Sequence, residues 1–518
     1  MLASQNKNGP IVLVSGDISY VFPSGYGYLA GYLVERGEEV KILIRPKDEA
    51  DYPKLAKKIM DLKPLLVGFG GLYTDLYPIK EITPLLAGRD FPIIIGGQMV
   101  TPTPEFAVEV TGADIGVIGE GEIILYNLVK TLREGGDLSK VKGLVLNRGE
   151  EKILTGPGEY IEDLAKLPKI PYDLFPSTEW LNVGRMYLNM PQPHNQFADR
   201  TVTVHGGRGC PFRCNFCYHH SRARYRPVAD MMADAKELIK KYNANHLFFD
   251  DDLAMVSSAR AQELMDGIKK LGKKIEYSMS VRMDILSRTD DRLLREMKIS
   301  GCRCLGPGIE SGSQRILDIM NKKITVDQII TGLRRLKDAG ILTTASIMVG
   351  QLSERPEDVR QSIDLMKETL SYDKNINYAF TICTPFPGSE LYDICFKKGI
   401  FKTHYDFFER FGKHGGFADI TANMTEMSDE ELLGWYKNIK LAYKLEKRKA
   451  VGPAVYKLES LMIRANRFDG RLKKKFFDKL LDNFLGRIIN KSYNFCYDLM
   501  QLGFDKLRLY LLGVKKFK

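Results

Sequence analysis

Short apolar runs that break into glycine recur through the first 130 residues and constrain the fold more than any other feature of the chain. IVLVSGD (11–17), EVKILI, PLLVGFGG, PIIIGGQ and IGVIGEGE are each too short for a helix. Helix-like stretches separate them, among them SGYGYLAGYLVERG (24–37), amphipathic and ended by Gly37. Wholly apolar strands alternating with helices belong in a parallel sheet covered on both faces, so the pattern predicts a doubly wound α/β domain. Such sheets bind ligands beyond the carboxyl ends of their strands. Gly16, Gly70, Gly71, Gly96, Gly97, Gly119 and Gly121 all fall at those ends.

A hairpin-like connector, GLVLNRGEEKIL, and a proline-punctuated stretch, LPKIPYDLFP (167–176), separate this unit from the next. From residue 200 a second alternation begins: TVTVH, HLFFDDD, IEYSMSVR, CLGPGIE, TTASIMVG and NYAFTICTPFPG. Helical segments lie between them, such as VDQIITGLRRLKDAG (326–340), closed by Gly340. Six βα units predict a partial (β/α)6 barrel with its chemistry at the C-terminal strand ends. The expected organisation is a first domain over 1–140, a connector over 141–195, the barrel over 196–400 and a mainly helical region over 401–518.

The formal charge of +11 is unevenly placed. Residues 444–518 hold 19 Lys/Arg against 7 Asp/Glu, a balance of +12, which leaves −1 for everything before them. Within that tail KKKFFDKLLDNFLGRIINK (473–491) repeats apolar pairs every four residues, an amphipathic helix with a basic face. It can dock on the barrel, lie on an anionic membrane surface or meet nucleic acid. Docking is favoured, and few features point to nucleic acid. No apolar run approaches the roughly 20 residues that cross a bilayer. MLASQNKNGP lacks the basic-then-apolar pattern of a secretory leader, so the sequence reads as cytoplasmic, with peripheral contact at the inner face of the membrane as the sharper option.

Three of the eight cysteines crowd into GCPFRCNFCYHH (209–220), while Cys302, Cys304, Cys383, Cys395 and Cys496 are scattered. Clustered thiols in a chain of this length point to a metal or to catalysis rather than to a disulfide framework. A tetrahedral zinc site needs a fourth ligand, for which His219 or His220 is available. A four-iron cluster held by Cys210, Cys214 and Cys217 leaves one iron open to a substrate.

This segment resembles the radical S-adenosylmethionine (SAM) superfamily, whose cysteines have this spacing with an aromatic before the last, here Phe216. The resemblance covers 200–395. It implies a 4Fe–4S cluster on Cys210, Cys214 and Cys217 with SAM on the fourth iron, and reductive cleavage of SAM to an adenosyl radical. FDDDLAM (249–255) is similar to a family segment near the SAM amino group, so Asp250, Asp251 or Asp252 would accept hydrogen bonds from it. Arg282 in SVRMD and Glu310 in GIESGS match positions that meet the SAM carboxylate and ribose; ion pairs across the barrel mouth are the structural alternative. PFPGSELYD (385–393) is another family hallmark, whereas MVGQLSERPED (348–358) departs from the usual pattern around Glu354.

FPSGYGYLAGYLVERGEEVKI and GGQMVTPTPEFAVEVTGADIGVIGEGE (96–122) resemble the cobalamin-binding domain that precedes many radical SAM domains. That resemblance covers 10–135 and implies cobalamin against Gly16, Tyr73, Gly96, Gly97, Gln98, Met99, Gly119, Glu120 and Gly121. Many such domains carry a cobalt-binding histidine; SGDISYVF (15–22) has none, and no histidine occurs before His194. The lower face of the cobalt is then open, water-bound or screened, with Tyr73, Gln98 and Met99 the loop candidates nearest it.

Together the two resemblances imply a cobalamin-dependent radical SAM enzyme, and above all a C-methyltransferase. It would move methyl from SAM through methylcobalamin to an unactivated carbon, and the amphipathic tail suggests a lipid or isoprenoid substrate. An oxidative cyclase or rearrangement enzyme without methyl transfer is the alternative. A non-catalytic cobalamin-responsive sensor is a third reading, against which the intact cysteines argue. An electron donor such as a flavodoxin or ferredoxin is the implied partner.

Overall fold

A computed structural model describes residues 6–16, 22–176, 200–272, 274–414, 418–453 and 456. The amphipathic segment 473–491, most of the basic tail and Cys496 lie outside the described residues. Two compact units are present: one of Met1–Trp180, His205–Asp230 and Thr384–Asn423, the other of Leu181–Val204, Met231–Cys383 and Met424–Lys518.

In the first unit, strands β1 (Ile11–Ser15), β2 (Val40–Ile44), β3 (Leu66–Gly71), β4 (Ile93–Gly97), β5 (Ile115–Val117), β6 (Leu144–Arg148) and β7 (Glu151–Leu154) make one sheet in the order β2-β1-β3-β4-β5-β6-β7. The first five are parallel and the last two antiparallel. β1 is buried at every residue, as the apolar run IVLVS requires of a strand covered on both faces. Helices α1 (Ser24–Val34), α2 (Tyr52–Asp61), α3 (Leu76–Ile82), α4 (Pro104–Thr111) and α5 (Gly121–Glu134) form the crossovers. The 143–154 segment, expected to be a connector, is a hairpin that extends this sheet beyond residue 140, with Leu144, Val145 and Leu146 buried.

The second unit holds a parallel six-stranded sheet built from β8 (Thr201–Val204), β11 (His246–Phe249), β12 (Glu276–Val281), β13 (Cys302–Glu310), β14 (Leu342–Val349) and β15 (Asn377–Ile382). Its order, β15-β14-β13-β12-β11-β8, is sequential, and its strands coincide with the six apolar runs of the second alternation. Helices α6 (Val228–Tyr242), α7 (Ser258–Lys269), α8 (Met283–Leu286), α9 (Asp291–Ser300), α10 (Gln314–Ile319), α11 (Val326–Ala339) and α12 (Pro356–Tyr372) intervene. A capping box between Thr325 and Gln328 starts α11. Because all six strands run the same way, Val204, Phe249, Val281, Glu310, Val349 and Ile382 end at one edge of the sheet.

Between β8 and α6 the chain crosses back into the first unit. There β9 (Gly207–Arg208) and β10 (Arg224–Tyr225) form a short antiparallel ribbon, with Arg208 opposite Arg224, that closes the base of the cysteine loop. Helices α13 (Glu390–Lys397) and α14 (His404–His414) return to the same unit. The last described helix, α15 (Asp429–Val451), belongs to the second unit and braces β15. Its Lys447, wholly buried, donates from Nζ to the carbonyl oxygens of Lys374 (2.6 Å) and Ile376 (2.8 Å). Tyr436 adds a hydrogen bond to the Phe380 carbonyl at 3.2 Å. Lys447→Met keeps the aliphatic bulk but strands two buried acceptors, and should lower unfolding stability by about 2–3 kcal/mol. Chemical denaturation with near-native spectroscopic signals at zero denaturant is the check.

Candidate active site: a cysteine loop seated on a glycine-edged sheet

Cys210, Cys214 and Cys217 fall on the loop closed by the β9–β10 ribbon. Cys214 is buried, Cys210 and Cys217 are partly exposed, and none is in a disulfide. The other described cysteines, Cys302, Cys304, Cys383 and Cys395, are all buried. Burial pushes the Cys302 thiol beyond the usual range and Cys304 up to about 12, so these two are protonated and inert. Within the loop the Cys217 amide donates to the Cys214 carbonyl at 3.2 Å. His219 gives its Nε2 to the same carbonyl at 3.2 Å, a loop-bracing role rather than that of a zinc ligand. Phe216 is partly exposed.

Three attachments hold this loop within the first unit. At its base Arg208 donates to Glu120 Oε2 (2.5 Å) and Glu122 Oε1 (2.5 Å), and Arg224 pairs with the other oxygen of Glu120. Arg224 also donates to the Ile161 carbonyl. Burial, followed by the charges of Arg208 and Arg226, pushes His205 down to about 3, so it stays neutral beside them. Further along, the Tyr218 hydroxyl lies beside Thr101. The Tyr218 ring lies against Gly388, where an added Cβ would come within 2.4 Å of it and within 2.9 Å of Pro102. Gly388 (φ +89°) in PFPGSELYD is thus irreplaceable for steric reasons, and Leu391 N–H adds a bond to the Asn215 carbonyl at 2.9 Å.

The glycine edge is part of the same unit. Gly97 and Gly119 are exposed, and Gly96 and Gly71 half-buried, at the carboxyl ends of β3, β4 and β5. A Cβ on Gly97 (φ +87°) would sit 2.9 Å from the Gly71 carbonyl oxygen, so a side chain is excluded there and the edge stays bare. Leu72 beside it is 52% exposed. Thr101 spans two of these loops, donating to the Gly97 carbonyl (3.1 Å) and accepting from Gly119 N–H (3.0 Å). Gly16 abuts the Arg45–Asp75 ion pair (2.7 Å), where the strand order reverses between β1 and β3. Gln98 is half-buried, and Gly121 lies against Leu29.

Three residues expected to face a corrin ring are engaged elsewhere. Met99 is fully buried in the core. Tyr73 is 6% exposed, its ring packed among Phe386, Phe407, Phe408 and Phe411. Both carboxylate oxygens of Glu120 are committed to arginines of the cysteine ribbon. Local sequence does not reveal this, because the Glu120 partners lie 88 and 104 residues away.

In the second unit, Ser280 on β12 organises the acidic turn after β11, donating to the Asp251 carbonyl (3.1 Å) and accepting from Ala254 N–H (3.3 Å). Asp252 is exposed and Asp251 half-buried. Burial, then the Asp251 and Asp252 charges, pushes Asp250 up to about 7. Arg282 is buried, with Nε on Asp284 (2.9 Å) and Nη2 on the Lys322 carbonyl. Glu310, at φ +67°, accepts from Lys322 Nζ (2.9 Å) and Ser346 (3.1 Å). The ion-pair alternative for Arg282 and Glu310 is therefore realised, and Asp284, Lys322 and Ser346 complete a buried charged network that the sequence reading missed. Glu354 is buried and accepts from the amides of Gly350 (2.5 Å) and Gln351 (3.2 Å), capping the turn after β14.

Comparison with known proteins fits this arrangement. A model of the B12 binding domain matches residues 13–129, and a model of the radical SAM superfamily matches 204–366. The chain is a radical SAM enzyme that carries a B12 binding domain. An uncharacterised methyltransferase of Pyrococcus horikoshii is 29% identical over 391 residues, 74% of this chain and 80% of that protein. The anaerobic magnesium-protoporphyrin IX monomethyl ester cyclase of Rubrivivax gelatinosus is 26% identical, over 71% of this chain and 65% of its own length. In fold, the radical S-adenosylmethionine methyltransferase TsrM of Kitasatospora setae superposes with a TM-score of 0.59 at 19% identity, covering 75% of each chain.

A 4Fe–4S cluster, SAM and cobalamin are the cofactors of this enzyme, and the residues present fit them. Two of the three loop thiols are accessible, and the bare strand ends of the first sheet leave a broad molecule room for close approach. No described helix is long and apolar enough to cross a membrane. Asp250 as acceptor for the SAM ammonium predicts a pH dependence. A bound cation favours the carboxylate, so SAM affinity should fall as pH drops below about 7. Anaerobic equilibrium dialysis of SAM across pH 5.5–8.5 should show this for the wild type, with a flattened profile for Asp250→Asn.

Proposed function

We propose that this enzyme is a C-methyltransferase, moving methyl from SAM by way of its cobalamin to an unactivated carbon. The observation that carries the reading is the attachment of the cysteine loop to the glycine-edged sheet through Arg208, Arg224 and Tyr218. The residues suited to an iron–sulfur cluster and those suited to a corrinoid share one compact unit. The methyltransferase relative that spans 74% of the chain supports the same choice. When bound, the cluster supplies an electron for cleaving SAM and the corrinoid serves as a methyl carrier.

The chain's own residues would do the rest. Cys210, Cys214 and Cys217 present thiolates to iron, leaving one position for SAM. The Asp250–Asp252 turn attracts the SAM ammonium, and the buried Arg282, Glu310 and Lys322 network keeps the ends of β12 and β13 in fixed relation. A flavodoxin or ferredoxin would deliver the electron. Anaerobic turnover of the reconstituted enzyme should yield both S-adenosylhomocysteine and 5′-deoxyadenosine, and Cys214→Ala should abolish the deoxyadenosine. The cyclase relative gives a second reading substance, in which ring closure replaces methyl transfer. Deoxyadenosine without S-adenosylhomocysteine would favour it.

The substrate class in this proposal is a lipid or isoprenoid, supported by the amphipathic, basic segment 473–491. Because Lys447 is packed in the second unit, a truncation that tests this should begin after Tyr456 rather than at 444. The full chain should float with anionic phosphatidylglycerol vesicles and the truncated chain should not. Equal flotation of the two would remove the support for a lipid.

A further inference from the structure

The Glu120–Arg208–Glu122 arrangement is more than a fold contact, because of where its members sit in the chain. Glu120 directly follows Gly119, an exposed glycine at the end of β5 and part of the edge suited to cobalamin. Arg208 directly precedes Gly209 and Cys210, and Arg224 is its partner across the ribbon. Side-chain exposures of 17% for Arg208, 13% for Glu120, 5% for Glu122 and 9% for Arg224 shield these charges from solvent. Removing one partner of such a pair therefore costs more than at a surface ion pair, because it leaves a buried charge uncompensated.

A second link runs in parallel. Gly119 N–H is held by Thr101, Thr101 also binds the Gly97 carbonyl, and Tyr218, the residue after Cys217, lies beside Thr101 with its ring seated against Pro102 and Gly388. The glycine edge is thus tied to the cysteine loop at two places, at its base through ion pairs and just beyond Cys217 through the seat of Tyr218 beside Thr101.

We propose that Glu120 and Glu122 are positioning residues for the iron–sulfur loop, and that these two links make cobalamin occupancy and cluster retention mutually dependent. Glu120 then serves the cysteines rather than the corrinoid. Ordering the loops after β4 and β5 by a bound corrinoid restricts Arg208, Arg224 and Tyr218, and with them the loop that carries the thiolates. Linkage requires the reverse as well: a filled cluster site tightens cobalamin binding by the same factor. The inference is independent of whether methyl transfer or ring closure follows.

The test reads iron, not turnover. Full-length enzyme reconstituted with its 4Fe–4S cluster is challenged anaerobically with a ferrous chelator, with and without saturating hydroxocobalamin, and iron release is timed. Cobalamin should slow release by about fivefold or more in the wild type, the size of an ordinary coupling between sites. The double variant Glu120→Gln, Glu122→Gln should still bind cobalamin by its visible spectrum yet lose this protection. Equal protection in the double variant, or none in the wild type, overturns the proposal. Should the double variant fail to fold, Tyr218→Phe decides alone. It keeps the ring against Gly388 and removes only the hydroxyl beside Thr101, so protection should fall below wild type, and undiminished protection contradicts the proposal.

Discussion

A guanidinium shared by two carboxylates, Arg208 between Glu120 and Glu122, is the contact on which the functional half of this molecule depends. The cysteine loop is long, carries few apolar side chains, and has no sheet of its own beyond a two-residue ribbon. Left to local forces it would sample many shapes, since ordering each residue costs about 1–2 kcal/mol of backbone entropy. Ion pairs at its base, the Leu391 amide on the Asn215 carbonyl and the close seat of Tyr218 on Gly388 and Pro102 replace the missing regular structure. These anchors come from stretches of the chain far from the loop. Together they fix thiols whose chemistry depends on geometry.

The second unit solves a related problem with a different device. Its parallel strands end at one edge, where Arg282, Asp284, Glu310, Lys322 and Ser346 bury charge in mutually satisfied pairs. Glu310 is held in the left-handed region, and Gly308 leaves room for it: a Cβ there would stand 2.3 Å from the Glu310 carboxylate and 3.0 Å from Lys322 Nζ. Backbone strain of this sort persists only when the surroundings over-determine it. The acidic turn at Asp250 is different, since its neighbours raise its proton affinity rather than neutralise it. Its environment suits an arriving cation.

Much of this was legible from periodicity. The apolar runs that became β1 to β5 and the six strands of the second sheet are visible because buried parallel strands leave a continuous hydrophobic trace. The cysteine spacing singled out the 209–220 loop for the same local reason. What escaped was long-range. Glu120 looked like a cofactor contact because it sits among glycines, and only the folded chain shows its oxygens taken by Arg208 and Arg224. Met99 and Tyr73 each lie two residues after a glycine of that edge but turn inward, because each ends a loop that must re-enter the core. Residues 143–154 read as a linker, since an edge hairpin with one polar strand has the composition of a loop.

The central claim is that the cysteine loop and the glycine edge form one structural unit, and a magnetic measurement tests it most directly. In the full enzyme carrying both a reduced cluster and cob(II)alamin, each centre is paramagnetic. The account predicts a dipolar interaction between the two spins in pulsed electron paramagnetic resonance, present in the wild type before any substrate is added. Two signals relaxing independently, as if the other centre were absent, would contradict it.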